Sequence, residues 1–120
     1  MHEMSIASAL MEQLQRIAAE QRAVRIREVE VQCGVMQQIV PEALQLAFEA
    51  ASADTLAAGA TLHIVEEGLV AQCRTCDERY AASLDDFRCP RCQTADVQLV
   101  AGREIVLRTV VCETEDEAAA

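Results

Sequence analysis

The segment CRTCDERYAASLDDFRCPRC, residues 73–92, holds two CxxC pairs, Cys73/Cys76 and Cys89/Cys92, with twelve residues between them. Each pair can form a knuckle that presents two sulfurs to one ion, and two facing knuckles complete a tetrahedron. Zn²⁺ suits four thiolates best, because it accepts tetrahedral sulfur donors and has no redox chemistry of its own. An iron–sulfur centre is the alternative. A thioredoxin-like redox motif fits poorly, since there are two pairs and neither opens a helix. The spacer is shorter than the usual 15–20 or so residues, but it is long enough for a strand and a return. It contains Tyr80 and Phe87, two of the three aromatic residues, which can cap a small core of the module's own. With all four cysteines present and no ligand position vacant, the site reads as structural.

The flanks of this segment show what it interrupts. Before it, TLHIVEEG (residues 61–68) alternates, with Leu62 and Ile64 on one side and His63 and Val65 on the other. After it, REIVLRTVVCE (residues 103–113) reads as another strand. Further upstream, VRIREVEVQCG (residues 24–34) is a third alternating run. Its apolar parity changes at Arg27-Glu28, so this strand either starts late or carries a bulge. Two helices complete the pattern. From Met4 to Gln21, Ala7, Leu10, Met11, Leu14, Ile17 and Ala18 form one stripe at helical spacing. In PEALQLAFEAA, Pro41 fits the first helical position and Leu44, Ala47, Phe48 and Ala51 form the buried face. The expected fold is α/β: a small three-stranded sheet with two helices on one face, plus an inserted zinc-ribbon module. The expected division is an α/β domain from residues 1–68 and 101–112, a ribbon from 69–100 and an acidic flexible tail from 113–120.

Composition narrows the function. The chain has 120 residues, 52% of them hydrophobic, and a net charge of −10. Such an acidic balance argues against nucleic acid and against anionic membrane surfaces. No apolar run reaches the ~20 residues of a membrane helix. The N-terminus lacks a basic n-region, so a cytoplasmic protein with reduced cysteines is expected. Cys33 and Cys112 lie outside the ribbon and read as small hydrophobes in strands. His63 has no ligand-type residue at chelating spacing and reads as a surface histidine. No nucleophile–base constellation appears, so no enzyme activity is expected.

The chain opens Met1-His2-Glu3. Histidine is too large for efficient removal of the preceding methionine. The α-amine, the His2 amide nitrogen and the His2 Nδ1 can close adjacent chelate rings, and a nitrogen-rich planar set suits Ni(II) or Cu(II). The amide of Glu3 can join only if the backbone bends back. The Glu3 carboxylate can assist, or sit at the helix N-terminus where negative charge is favoured. On its own, an N-terminal histidine is a weak pointer.

Taken together, MHE, the PEAL helix with AFE, TLAAGATLHI, the paired CxxC…CPxC and GREIVL resemble the HypA/HybF family of nickel metallochaperones over residues 1 to about 112. The resemblance implies nickel held at Met1, His2 and Glu3, and structural zinc held by Cys73, Cys76, Cys89 and Cys92. It implies delivery of Ni(II) to the [NiFe]-hydrogenase large subunit, with a HypB-type GTPase as partner; some members also serve urease. Asp77 and Gln93 stand where the family's knuckles often carry glycine, a residue suited to positive φ. Val40 stands where some members have an acidic residue, and GVMQQIVP lacks the usual Leu-Ser-type sequence. A rival reading is a zinc-ribbon adaptor that binds only protein. The short links between ribbon and sheet also make a domain-swapped homodimer conceivable.

Overall fold

A computed structural model describes residues 2–116. Met1 and residues 117–120, and with them the expected α-amine ligand and the end of the acidic tail, lie outside the described residues. The elements run α1 (His2–Gln21), β1 (Ala23–Gly34), a 3₁₀ turn (Val35–Gln37), α2 (Pro41–Ser52), β2 (Thr61–Glu67), β3 (Val70–Cys73), β4 (Arg79–Ala81), β5 (Val97–Ala101) and β6 (Ile105–Thr114). They form two three-stranded sheets, ordered β2-β1-β6 and β4-β3-β5. The chain divides into two compact units. One is built from the segment ending at Val31, from Ile39–Ile64 and from Leu107 onward; the other is built from Gln32–Gln38 and Val65–Val106.

In the first unit, α1 and α2 pack on one another and cover one face of the sheet. The apolar stripe of α1 is buried at Ala7, Leu10, Met11, Leu14 and Ala18, while Ile17, at its edge, is only half-buried. From α2, Leu44, Ala47 and Phe48 are buried with Ser52; Ala51 is only half-buried, and Ser52 Oγ donates to the Glu49 carbonyl at 3.3 Å. The sheet contributes Ile26, Val29, Val31 and Leu62. The parity change in β1 is real: Ile26 and Val29 are both buried, Arg27 and Glu28 between them are both exposed, and the strand is unbroken from Ala23 to Gly34. The expected strand continues through this irregularity and does not start after it. Helix α1 starts at His2, two residues earlier than its apolar stripe indicates. The loop before β2 also contributes to the core, because Ala57 is fully buried.

In the second unit, β3 is the centre of a small antiparallel ribbon, paired with β4 (Ala71 with Tyr80) and with β5 (Cys73 with Val97). Tyr80 and Phe87 are half-buried there, and the Tyr80 hydroxyl donates to the Phe87 carbonyl. Residues 34–37 are pinned to the turn between β5 and β6. The Gly34 N–H donates to Glu104 O at 2.9 Å, the Met36 N–H to Gly102 O at 2.9 Å, and Gln37 Nε2 to Arg103 O at 2.7 Å. A Cβ on Gly34 would fall 2.4 Å from the Gly102 carbonyl carbon and oxygen, so only glycine fits that crossing.

Candidate metal centres

The four cysteines of the two CxxC pairs are brought together, with all four Sγ atoms within 4.8 Å of one another. Cys73 and Cys89 are buried, Cys76 is half-buried and Cys92 is the most exposed. Each knuckle repeats the same local bonds. The Asp77 N–H donates to Cys73 O at 3.0 Å, and the Gln93 N–H donates to Cys89 O at 2.8 Å. The Cys73 N–H reaches Glu78 O at 2.9 Å, and the Cys89 N–H reaches Thr94 O at 3.0 Å. Backbone N–H groups also point at sulfur, from Thr75 to Cys73 Sγ and from Cys92 to Cys89 Sγ, both at 3.4 Å. The turn that aims these amides needs a left-handed residue after the second cysteine. Asp77 and Gln93 supply it with φ of 61° and 63°, although neither is glycine.

The donor set fits a tetrahedral thiolate-binding ion. Zn–S bonds of about 2.3 Å imply sulfur–sulfur edges of roughly 3.8 Å, and Cys76 Sγ lies 3.7 Å from Cys89 Sγ. The electrostatics point the same way. The Cys73 thiol is lowered to about 7, first by the Cys76 N–H, then by the Thr75 N–H and the neighbouring thiols, against a burial that raises it. Cys92 is pushed up to about 12, first by its hydrogen bond with Cys76, then by burial and by the charges of Cys73 and Cys76. One sulfur therefore ionises readily while a further thiolate beside it is opposed by like charge. Four thiolates can share this space only around a cation.

At the N-terminal end, His2 is exposed on the first turn of α1 and Glu3 is half-buried. Glu3 Oε2 accepts a hydrogen bond from the Val40 N–H at 3.3 Å. Val40 is the N-cap of α2; its side chain makes no cap, and its carbonyl accepts the Leu44 N–H at 3.0 Å. In a capping box, a glutamate one turn into the helix reaches back to the N-cap N–H. Here the glutamate comes from a different helix. The Val40 N–H, and then Glu3's own N–H, hold this carboxyl below the ordinary carboxylate value, outweighing desolvation. Sequence reasoning placed Glu3 beside His2 but missed Val40 as its partner; the one available signal was Pro41, which marks Val40 as a cap residue without a polar side chain.

The remaining candidates have ordinary roles. His63 Nε2 lies 3.0 Å from Glu28 Oε1 on the exposed sheet surface. Cys33 is buried, and burial, then the charge of Glu66, pushes its thiol up. Cys112 is half-buried.

A two-helix α/β unit joined to a four-cysteine ribbon defines a small metal-site protein. The family described as "Hydrogenase/urease nickel incorporation, metallochaperone, hypA" matches residues 1–112. A hydrogenase maturation factor HypA from Chlorobium limicola is 38% identical over 116 residues, covering 97% of this chain and 100% of that protein. One from a Roseiflexus species is 39% identical over 120 residues, covering 98% and 94%. The solution structure of the Ni metallochaperone HypA from Helicobacter pylori superposes with a TM-score of 0.73 at 26% identity, covering 96% of this chain and 100% of that one. The chain belongs to the HypA family of nickel-incorporation metallochaperones, whose members are hydrogenase maturation factors.

Proposed function

We propose that this chain carries Ni(II) as cargo at its N-terminal tip and hands it to the [NiFe]-hydrogenase large subunit. The ligands are the Met1 amine, the His2 imidazole and backbone nitrogens of the first turn, with Glu3 as the carboxylate of the same motif. Residues 1–68 and 101–112 carry the nickel function, and residues 69–100 form the zinc ribbon. A HypB-type GTPase is the working partner in the cytoplasm, and the chain performs no catalysis.

The observation that carries this reading is the Glu3–Val40 bond. It ties the first turn of α1 to the cap of α2, and so fixes the base on which His2 stands. A backbone amide nitrogen of the first turn joins the ligand set only by giving up its proton. An exposed tip binds its ion by few ligands and releases it by stepwise ligand exchange. Protons compete for the same nitrogens, so nickel uptake falls as pH falls. Cys73, Cys76, Cys89 and Cys92 would hold Zn²⁺, whose contribution is to neutralise the thiolates and close the ribbon.

Nickel titration of untagged protein, combined with metal analysis, tests the reading. His2→Ala is expected to abolish nickel uptake and hydrogenase activation while keeping one zinc per chain and the native fold. Absence of nickel uptake by native protein with a free α-amine, or unchanged activation by His2→Ala, overturns it in favour of an adaptor that binds only protein.

A further inference from the structure

On the sheet surface away from the helices, Arg25, Arg27 and Glu28 of β1, Gly59 of the loop before β2, Thr61 of β2 and Val111 of β6 enclose a chiefly polar cavity of about 420 Å³. All six belong to the first unit. The carboxylate in the lining is already engaged: Glu28 Oε1 lies 3.0 Å from His63 Nε2. Arg27 is engaged as well, through Nη1 to Glu113 Oε1 at 3.2 Å. The other donors are not. Among the described residues Arg25 has no ion-pair partner, the exposed Glu115 and Asp116 included. The Thr61 hydroxyl and the Gly59 N–H likewise make no hydrogen bond among those residues.

A cavity with donors to spare and its own acceptor engaged suits a ligand that brings acceptors, an oxyanion. Three features choose among oxyanions. A guanidinium is a planar fork that takes both oxygens of a carboxylate. The lining holds two arginines and one glutamate, a balance that matches a monoanion, and Glu28 opposes the second charge of a phosphate. Val111, 43% exposed, offers an apolar wall to a carbon chain. The wall at Gly59 is open: a Cβ there would meet nothing within 4 Å. We propose that this cavity binds the carboxylate of a small organic acid with a short apolar chain, its oxygens on the Arg25 guanidinium and its chain toward Val111, with the Thr61 hydroxyl and the Gly59 N–H as further donors. The site uses none of the nickel ligands, so it stands or falls apart from the nickel reading.

Amide NMR on the full zinc-loaded chain, titrated with propionate, tests this. Propionate should shift the Gly59 and Thr61 amides saturably, whereas sodium chloride at the same ionic strength should not. Arg25→Gln should weaken propionate binding by at least about fivefold, since the charge-assisted fork is lost. Thr61→Val, which keeps the shape and the strand preference, should weaken it as well, and Arg74→Gln on the ribbon should leave it unchanged. No saturable shift with propionate overturns the proposal, and so does equal affinity of the native and Arg25→Gln chains. Inorganic phosphate binding as tightly as propionate overturns the carboxylate assignment. Tighter binding of a capped Ala-Glu-Ala peptide than of propionate overturns the small-acid assignment, because the same group then arrives on a protein side chain.

Discussion

Asp77 and Gln93 hold a left-handed backbone that most L-residues resist, with φ near 60° in both. The fold keeps the turn because each supplies the N–H that closes its knuckle on Cys73 or Cys89. The conformation costs a non-glycine residue about 1–2 kcal/mol, of which glycine's extra entropy would return roughly 0.5–1 kcal/mol. Gln93→Gly should therefore stabilise the metal-loaded ribbon by about 0.5–1 kcal/mol, read as a higher midpoint in denaturant; Asp77→Gly should gain less, since aspartate tolerates this region better. Glu3 offers a second residue-scale check. Its carboxyl is depressed below 4.5, chiefly by the Val40 N–H. The bond's contribution is thus fully present above that ordinary value and is lost as pH falls through the lower, folded value. The Val40 amide resonance should move along that acidic titration, and Glu3→Ala should remove the movement.

Among the elements, the segment after β1 is the most constrained. Three hydrogen bonds pin Gly34, Met36 and Gln37 to residues 102–104. Gly102 has φ of +84°, and its N–H donates to Glu67 Oε1 at 2.8 Å. A methyl group on Gly34 would collide with backbone, which cannot swing aside as a side chain can. Gly34→Ala should cost about 3 kcal/mol, measured by chemical denaturation, and should broaden the amide signals of residues 102–104. A glycine ending a strand was legible in the sequence. That this glycine touches another one 68 residues later was not, because nothing local encodes that contact.

For the whole molecule, the two units separate the sources of stability. The unit containing α1 and α2 is held by Leu14, Ile26, Leu44 and Val29, each essentially fully buried. The four-cysteine unit has a short ribbon, few large apolar side chains and a cluster of thiols that repel one another when ionised. Chelating the metal at neutral pH should leave the helical far-ultraviolet signal largely intact. The same treatment should collapse the amide dispersion of residues 70–101. Loss of both signals together would mean that the helical unit depends on the ribbon's metal.

Sequence alone determined whatever is periodic or local. Helical spacing marked the stripe from Ala7 to Ala18, alternation marked β2, and the two-residue gap within each CxxC pair set sulfurs at chelating distance before any tertiary contact is made. Tertiary structure alone decided what depends on distant segments meeting. It set Glu3 against the Val40 amide, started α1 at His2, carried β1 through its change of face at Arg27-Glu28, and put Arg25 and Arg27 beside the end of β6. Those pairings are fixed by packing helices onto a sheet and returning a strand to its edge, and a linear pattern holds no record of which residues that packing brings within reach.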